Sequence, residues 1–172
     1  MHDDLRVAIL TPDPDDHSFA GLWPAVLARL QSALAGAGVD CVPTPWTAHA
    51  DDAAALARHA LVLPLLAWGY HLQHARWVRA CATWQAAGVR MANPARVLAW
   101  NSDKRYLAEL EQQGVPIPAT TWFDGVTAGD VARAFQATDA TSLIVKPTVS
   151  GGAWKTLRLR PGDAVDGLPL PD

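Results

Sequence analysis

Three lysines, a glycine pair and two hydroxyls are the residues whose types and spacing carry chemistry in this sequence. Lys146 follows the apolar run Leu143-Ile144-Val145, and Ser150-Gly151-Gly152-Ala153-Trp154-Lys155-Thr156 leads into Leu157-Arg158-Leu159. Both flanks have strand character, and the segment between them does not. Glycines let backbone N–H groups approach an anion closely, hydroxyls add donors, and an ammonium at each end supplies charge. A polyphosphate needs that donor set. A β-hairpin whose turn contains Gly-Gly accounts for the same residues and stays open at this point. Lysine usage bears on the choice: of 14 Lys plus Arg only Lys104, Lys146 and Lys155 are lysines, so arginine fills the general surface role.

The elements that must position these groups fall into two stretches. Leu5 to Leu10 reads as a buried-type strand, followed by the acidic, proline-broken loop Thr11-Pro12-Asp13-Pro14-Asp15-Asp16. Loops at the carboxyl ends of strands are where open α/β sheets place ligands. Pro24 suits the first turn of a helix ending at Gly36-Ala37-Gly38, and Val39 to Val42 is the next strand. Asp51-Asp52 is expected to open a helix to about Arg58, before a strand from Ala60 to Leu66 made irregular by Pro64. A helix over about His71 to Ala87 puts Trp77, Val78, Cys81 and Trp84 on one stripe, and Val89 to Ala92 is a short strand. This β-α alternation predicts an open parallel sheet with helices on its faces over residues 1–92.

At Asn93-Pro94 the rhythm changes, and the domain boundary is placed there. A short helix runs to about Trp100. Ser102 is read as the cap of another, to about Gln113, ended by Gly114. Thr120 to Phe123 is a candidate strand, Thr127 to about Ala137 a helix, and then come the two strands around the glycine pair. Residues 161–172 are rich in Pro and Gly and read as a disordered tail.

Composition excludes several classes. With 50% hydrophobic and 18% charged residues the chain is a soluble globular one, long enough for one large or two small domains. A net charge of -3, with no basic face, argues against nucleic acid. The acidic start Met1-His2-Asp3-Asp4 is unlike a signal peptide, and no apolar run is long enough for a membrane, so the cytoplasm is expected. Cys41 and Cys81 read as reduced core thiols. No G-x-G-x-x-G, Walker loop, nucleophile elbow or H-E-x-x-H occurs. His71 and His74 stand three apart with no third ligand nearby, so no metal site is assigned. Trp68-Gly69-Tyr70-His71 ends the third strand, where it is either a substrate contact or a packed aromatic turn.

An ordered series of motifs adds a family. Asn93-Pro94, Trp100-Asn101-Ser102-Asp103-Lys104-Arg105-Tyr106-Leu107, Gly114-Val115-Pro116, and Ile144-Val145-Lys146-Pro147 followed by Ser150-Gly151-Gly152-Ala153 resemble the ATP-grasp ligases. The spacing is most similar to the branch with prokaryotic glutathione synthetase, ribosomal-protein glutamate ligase and the O-ureido-D-serine cyclo-ligase of cycloserine synthesis. The likeness is specific over residues 93–159 and looser over 1–92. It implies an α/β pre-ATP-grasp domain over 1–92 that contributes to substrate binding, and the first α+β lobe of an ATP-grasp domain over 93–160.

The resemblance further implies that Lys104 and Lys146 touch ATP phosphates and that Ser150, Gly151, Gly152 and Ala153 form a mobile loop closing over them. Lys155 departs from an arginine that relatives carry near this position, so its phosphate role rests on the anion argument alone. Asp13, Trp68, Tyr70 and His71 are the substrate-side candidates, and no catalytic residue is singled out. The implied reaction is ATP-dependent ligation through an acyl phosphate, with magnesium. The family's second half, which supplies the magnesium carboxylates, has no counterpart here, so the chain is read as the front half of a ligase, inactive alone. The expected partners are ATP and a small carboxylate or amino-acid-like substrate, and a homo-oligomer is compatible with this class. Two other readings are a non-catalytic nucleotide-binding module and a receiver-like signalling domain. The latter lacks a carboxylate at the end of its third strand.

Overall fold

In the computed structural model of the protein, residues 6–17 and 21–165 are described. They form two compact units, divided between Ser102 and Asp103.

The first unit is built on a parallel sheet of order β2-β1-β3, with β1 at Arg6–Thr11, β2 at Asp40–Pro45 and β3 at Leu61–Leu63. Strand alternation decides its layering, because successive side chains of a strand point to opposite faces. Ala8 and Leu10 enter one core and Ile9 the other; on β3, paired Ala8↔Val62 and Ile9↔Leu63, Val62 and Leu63 divide the same way. Helix α1 (Trp23–Gly36) covers the Ile9 face through Leu27 and Leu30. Helices α2 (His74–Ala86) and α3 (Ala95–Asn101) cover the other. There Trp46 and Trp84 each meet Trp77 edge to face, with centroids 5.4 and 5.5 Å away. Strand β2 tolerates Pro43 and Pro45 because it is an edge strand of this sheet.

Several expected elements are shorter or differ. The helix expected from Asp51 is a single 3₁₀ turn at Leu56–Arg58, and the Asp52 carboxylate instead accepts the Ala54 N–H in a local turn. The strand expected to reach Leu66 stops at Leu63, ahead of Pro64, which has no N–H to extend a ladder. The strand over Val89 to Ala92 reduces to one parallel bridge, Val62↔Met91. On α2 the buried stripe is Trp77, Ala80, Cys81 and Trp84, while Val78 is exposed. Positions i, i+3, i+4 and i+7 share a face, and i+1 does not. Asn93 lies ten residues before the division between the units, because Ala95 and Leu98 of α3 are buried in the first unit's core.

The second unit holds α4 (Tyr106–Gln112), α5 (Ala128–Thr138) and an antiparallel pair, β4 (Leu143–Val145) with β5 (Leu157–Leu159). Residues 120–123 form no strand. Helix α5 starts on a capping box in which the Thr127 hydroxyl accepts the Asp130 N–H and the Asp130 carboxylate accepts the Thr127 N–H. Ser102 does not cap α4. Its hydroxyl donates to the Ala99 carbonyl at the end of α3, and the Asp103 carboxylate accepts the Arg105 N–H. Of the expected tail, residues 161–163 belong to a turn in which the Asp163 carboxylate accepts the Arg160 N–H; residues 166–172 lie outside the described ones.

Candidate functional site

The second unit contains a cavity of about 170 Å³ whose lining includes Lys104 and Lys146. Lys146 is placed by β4, which it directly follows, and Lys104 by the turn that opens α4. Most of the remaining wall is apolar, supplied by Leu107, Trp122, Val131 and Leu143 among others. Two lysines therefore border one largely apolar space. Their proximity has an electrostatic signature: burial, then the charge of Lys146, push the Lys104 ammonium toward its neutral form, against a smaller opposing effect of Asp103.

Lys104 is also tied to the segment after β4. Its ammonium donates to the Ser150 hydroxyl at 2.7 Å, the Ser150 carbonyl at 3.1 Å and the Thr148 carbonyl at 3.2 Å, and its backbone N–H donates to the same Thr148 carbonyl at 2.9 Å. The loop that the resemblance implies to be mobile is thus held at its entry. Beyond it come two turns, with Trp154 N–H donating to the Gly151 carbonyl and Thr156 N–H to the Ala153 carbonyl. Gly152, Ala153 and Lys155 all have left-handed backbone, with φ of 57°, 61° and 50°. Each non-glycine residue there costs about 1 kcal/mol or more. The Lys155 ammonium lies 4.8 Å from the centre of the Trp154 ring, a cation–π contact. Ser150, Gly151, Gly152, Ala153 and Lys155 are not part of the cavity wall, which ends along the chain at Thr148.

The substrate-side candidates lie in the first unit, at the carboxyl edge of the sheet. Asp13 follows β1, and its carboxyl is held below the usual range first by a hydrogen bond from the Thr47 hydroxyl, then by the Asp15 N–H and the Arg76 charge. Arg76 donates to the Thr47 carbonyl at 2.9 Å and to the Gln73 side chain at 3.1 Å, with its guanidinium 5.9 Å from the Trp46 ring centre. Trp68, Tyr70 and His71 form a packed aromatic turn. The Trp68 carbonyl accepts the Trp46 indole N–H, Tyr70 lies 5.3 Å from Trp77 and 5.8 Å from His71, and His71 is buried. Gly69 turns this segment with φ of 82°, and a Cβ there would lie 2.5 Å from an Asp16 carboxylate oxygen.

Sequence reasoning missed Thr47 and Arg76. Thr47 comes shortly after the strand around Val42 to Pro45, so the strand-end rule that selected Asp13 could have found it. Arg76 had no local signal, because its role comes from Trp46 and Thr47, about 30 residues away. His74 bonds Ser102 at 2.8 Å, but the Ser102 hydroxyl donates its proton to Ala99, so the imidazole Nε2–H is the donor and the pair is structural. Among the described residues no group of three or more His, Cys, Asp or Glu side chains is arranged to hold a metal ion. No helix among them is long and apolar enough to cross a membrane.

Comparison with known proteins places this architecture. A search of curated proteins found no match. Among solved structures, the D-cycloserine synthetase DcsG is similar with a TM-score of 0.64 at 24% identity, over 90% of this chain and 50% of that one. The chain thus spans about half the length of that structure. The ATP-grasp ligase PsnB, solved in complex with a minimal precursor, is similar at 19% identity over 92% of this chain and 57% of that one, with a TM-score of 0.48. The DcsG likeness bears out the α/β fold. The family model described as the N-terminal domain of D-cycloserine synthetase DcsG matches residues 7–93, the stretch holding the sheet and the Asp13 edge. The cycloserine branch of the resemblance read from the sequence agrees with that match, which falls on the stretch where the likeness is looser. Since the match takes in just over half of the residues, the chain belongs to the family of the DcsG N-terminal domain.

Proposed function

We propose that the chain is the ATP-binding portion of an ATP-dependent carboxylate–amine ligase or cyclo-ligase that works through an acyl phosphate. The observation that carries this reading is the convergence of Lys104 and Lys146 on one cavity. Burial first, and then the charge of Lys146, disfavour the Lys104 ammonium, and an anion between the two lysines turns their repulsion into attraction. Phosphoryl transfer depends mainly on positioning and on neutralising charge, which is what two lysines and a run of backbone amides supply.

In this reading Lys104 and Lys146 hold phosphate oxygens, and Ser150, Gly151, Gly152 and Ala153 cover them, with Lys155 at the outer end of the loop. A substrate carboxylate oxygen forms a bond to the terminal phosphorus while the bond from that phosphorus to the ADP oxygen breaks. An amine or another nucleophile then displaces phosphate from the acyl carbon. The carboxylate substrate is small and amino-acid-like, and the Asp13 edge of the first unit, with Trp68, Tyr70 and His71, is its binding side. The described residues do not fit magnesium, for want of a suitable group of ligands, and no step here is routed through the metal.

Calorimetric titration of the chain with ATP tests the reading. Saturable binding is expected, weakened tenfold or more in Lys146→Ala, the loss typical of one hydrogen bond to a charged group. Equal affinity in the two proteins, with circular dichroism showing both folded, overturns it.

A further inference from the structure

Lys104 donates to as many oxygens of the following loop as its ammonium has protons. Two of the acceptors are main-chain carbonyls, at Thr148 and Ser150, and the third is the Ser150 hydroxyl. Ser150 is buried, whereas Gly152 to Lys155 beyond it are exposed. The loop past this point includes two backbone turns, two non-glycine residues in the left-handed region and a cation–π contact. Such a segment has little apolar burial to offset the entropy of ordering it. The strands it joins are three residues each, and an isolated two-stranded hairpin is marginal in water. The start of this loop is thus tied to a side chain more than 40 positions upstream, beside the Lys104 N–H that donates to the same Thr148 carbonyl.

We propose that Lys104 is the latch of the Thr148–Thr156 loop: with no anion present its ammonium holds the loop entry in a set geometry, and a polyphosphate that claims the ammonium releases that hold. The second half rests on the nucleotide reading above, and the first does not. Lys104 is then a positioning residue for the loop as well as a phosphate ligand. Trading carbonyl oxygens for phosphate oxygens exchanges neutral acceptors for charged ones, which form the stronger bonds. The direction of the switch comes from that difference. Lys146, whose charge already disfavours the Lys104 ammonium in this setting, adds to the gain when an anion arrives.

Backbone amide hydrogen exchange, read at the Trp154 and Thr156 amides without nucleotide, tests the latch. Lys104→Met is expected to speed both by about tenfold, the loss of a hydrogen bond to a charged group, while the Val131 amide in α5 keeps its rate. Ser150→Ala, which removes the shortest contact and keeps the lysine, is expected to give a smaller acceleration at the same amides, and serves if Lys104→Met does not fold. Unchanged rates at Trp154 and Thr156 in a folded variant overturn the latch. ATP added to the wild-type chain is the separate arm. The expected result is a changed rate at the same amides, absent in Lys104→Met. A latch present without nucleotide but untouched by saturating ATP overturns the release step, and no ATP binding at all overturns the nucleotide reading while leaving the latch standing.

Discussion

The Lys104 ammonium lies 2.7 Å from the Ser150 hydroxyl, although 46 positions separate the two residues. Lys104 also lines a cavity with Lys146, and burial, then the Lys146 charge, lower its proton affinity. A lysine with a lowered pKa binds fewer protons folded than unfolded, so its cost to the fold is present at neutral pH and fades as pH rises toward 10.5. Stability attributable to this group should rise with pH in the window below 10.5. In Lys146→Ala the Lys104 midpoint should move upward, as read by an NMR titration of its side-chain carbon next to nitrogen. A midpoint that stays put would mean the two charges do not sense each other.

Asp13 titrates in the opposite sense. The Thr47 hydroxyl, the Asp15 N–H and Arg76 favour its carboxylate and lower its pKa from 3.8, so it supports the fold above that value and this support is lost as pH falls through the lowered pKa. Thr47→Val removes the largest of these influences. Across an acid titration that variant should be less stable than the wild type near pH 7, where the support is fully present, and the two curves should converge as pH falls below 3.8 through the lowered pKa. Superimposable acid transitions would show that the hydroxyl does not hold the carboxylate.

Gly69→Ala should lower stability by about 1–2 kcal/mol, the cost of a left-handed backbone for a residue with a Cβ. Its φ is 82°, and the new methyl would also push the Asp16 carboxylate aside. Urea denaturation provides the measurement. Full wild-type stability would mean that the turn before Tyr70 readjusts without strain.

Trp84 is fully buried, and its indole N–H donates to the His49 carbonyl at 2.8 Å. Trp84→Phe keeps most of the ring but leaves that carbonyl without its donor, for a loss of about 1–3 kcal/mol. Trp84→Ala should cost about 3–5 kcal/mol. Val78, on the same helix, is exposed, and Val78→Ala should stay within about 0.5 kcal/mol of the wild type. Thermal unfolding of the three variants tests the ranking, and a Val78 effect as large as that of Trp84→Phe would contradict the packing.

By itself the sequence determined the features that local chemistry and short periods dictate. The apolar run from Val7 to Leu10, inside the strand read over Leu5 to Leu10, had to be buried, Pro24 had to open a helix, and the stripe read in α2 named the buried Trp77, Cys81 and Trp84 but took the exposed Val78 in place of the small Ala80. The motif order from Asn93 to Ala153 also pointed to a family without any coordinates. Other features depended on neighbours distant along the chain. Pro64 ended β3 earlier than its apolar run implied, and the residues around Met91 found only one bridge because that side of the sheet offered three residues to pair with. Ser102 closes the helix before it rather than capping the one after it, and its hydroxyl also meets His74, 28 positions away. That Lys104 grips the Thr148–Ser150 segment, rather than extending into the cavity alone, depended on β4 bringing two carbonyls and a hydroxyl within reach. A sequence specifies donors and acceptors, but which of them meet is settled only when packing fixes the distances.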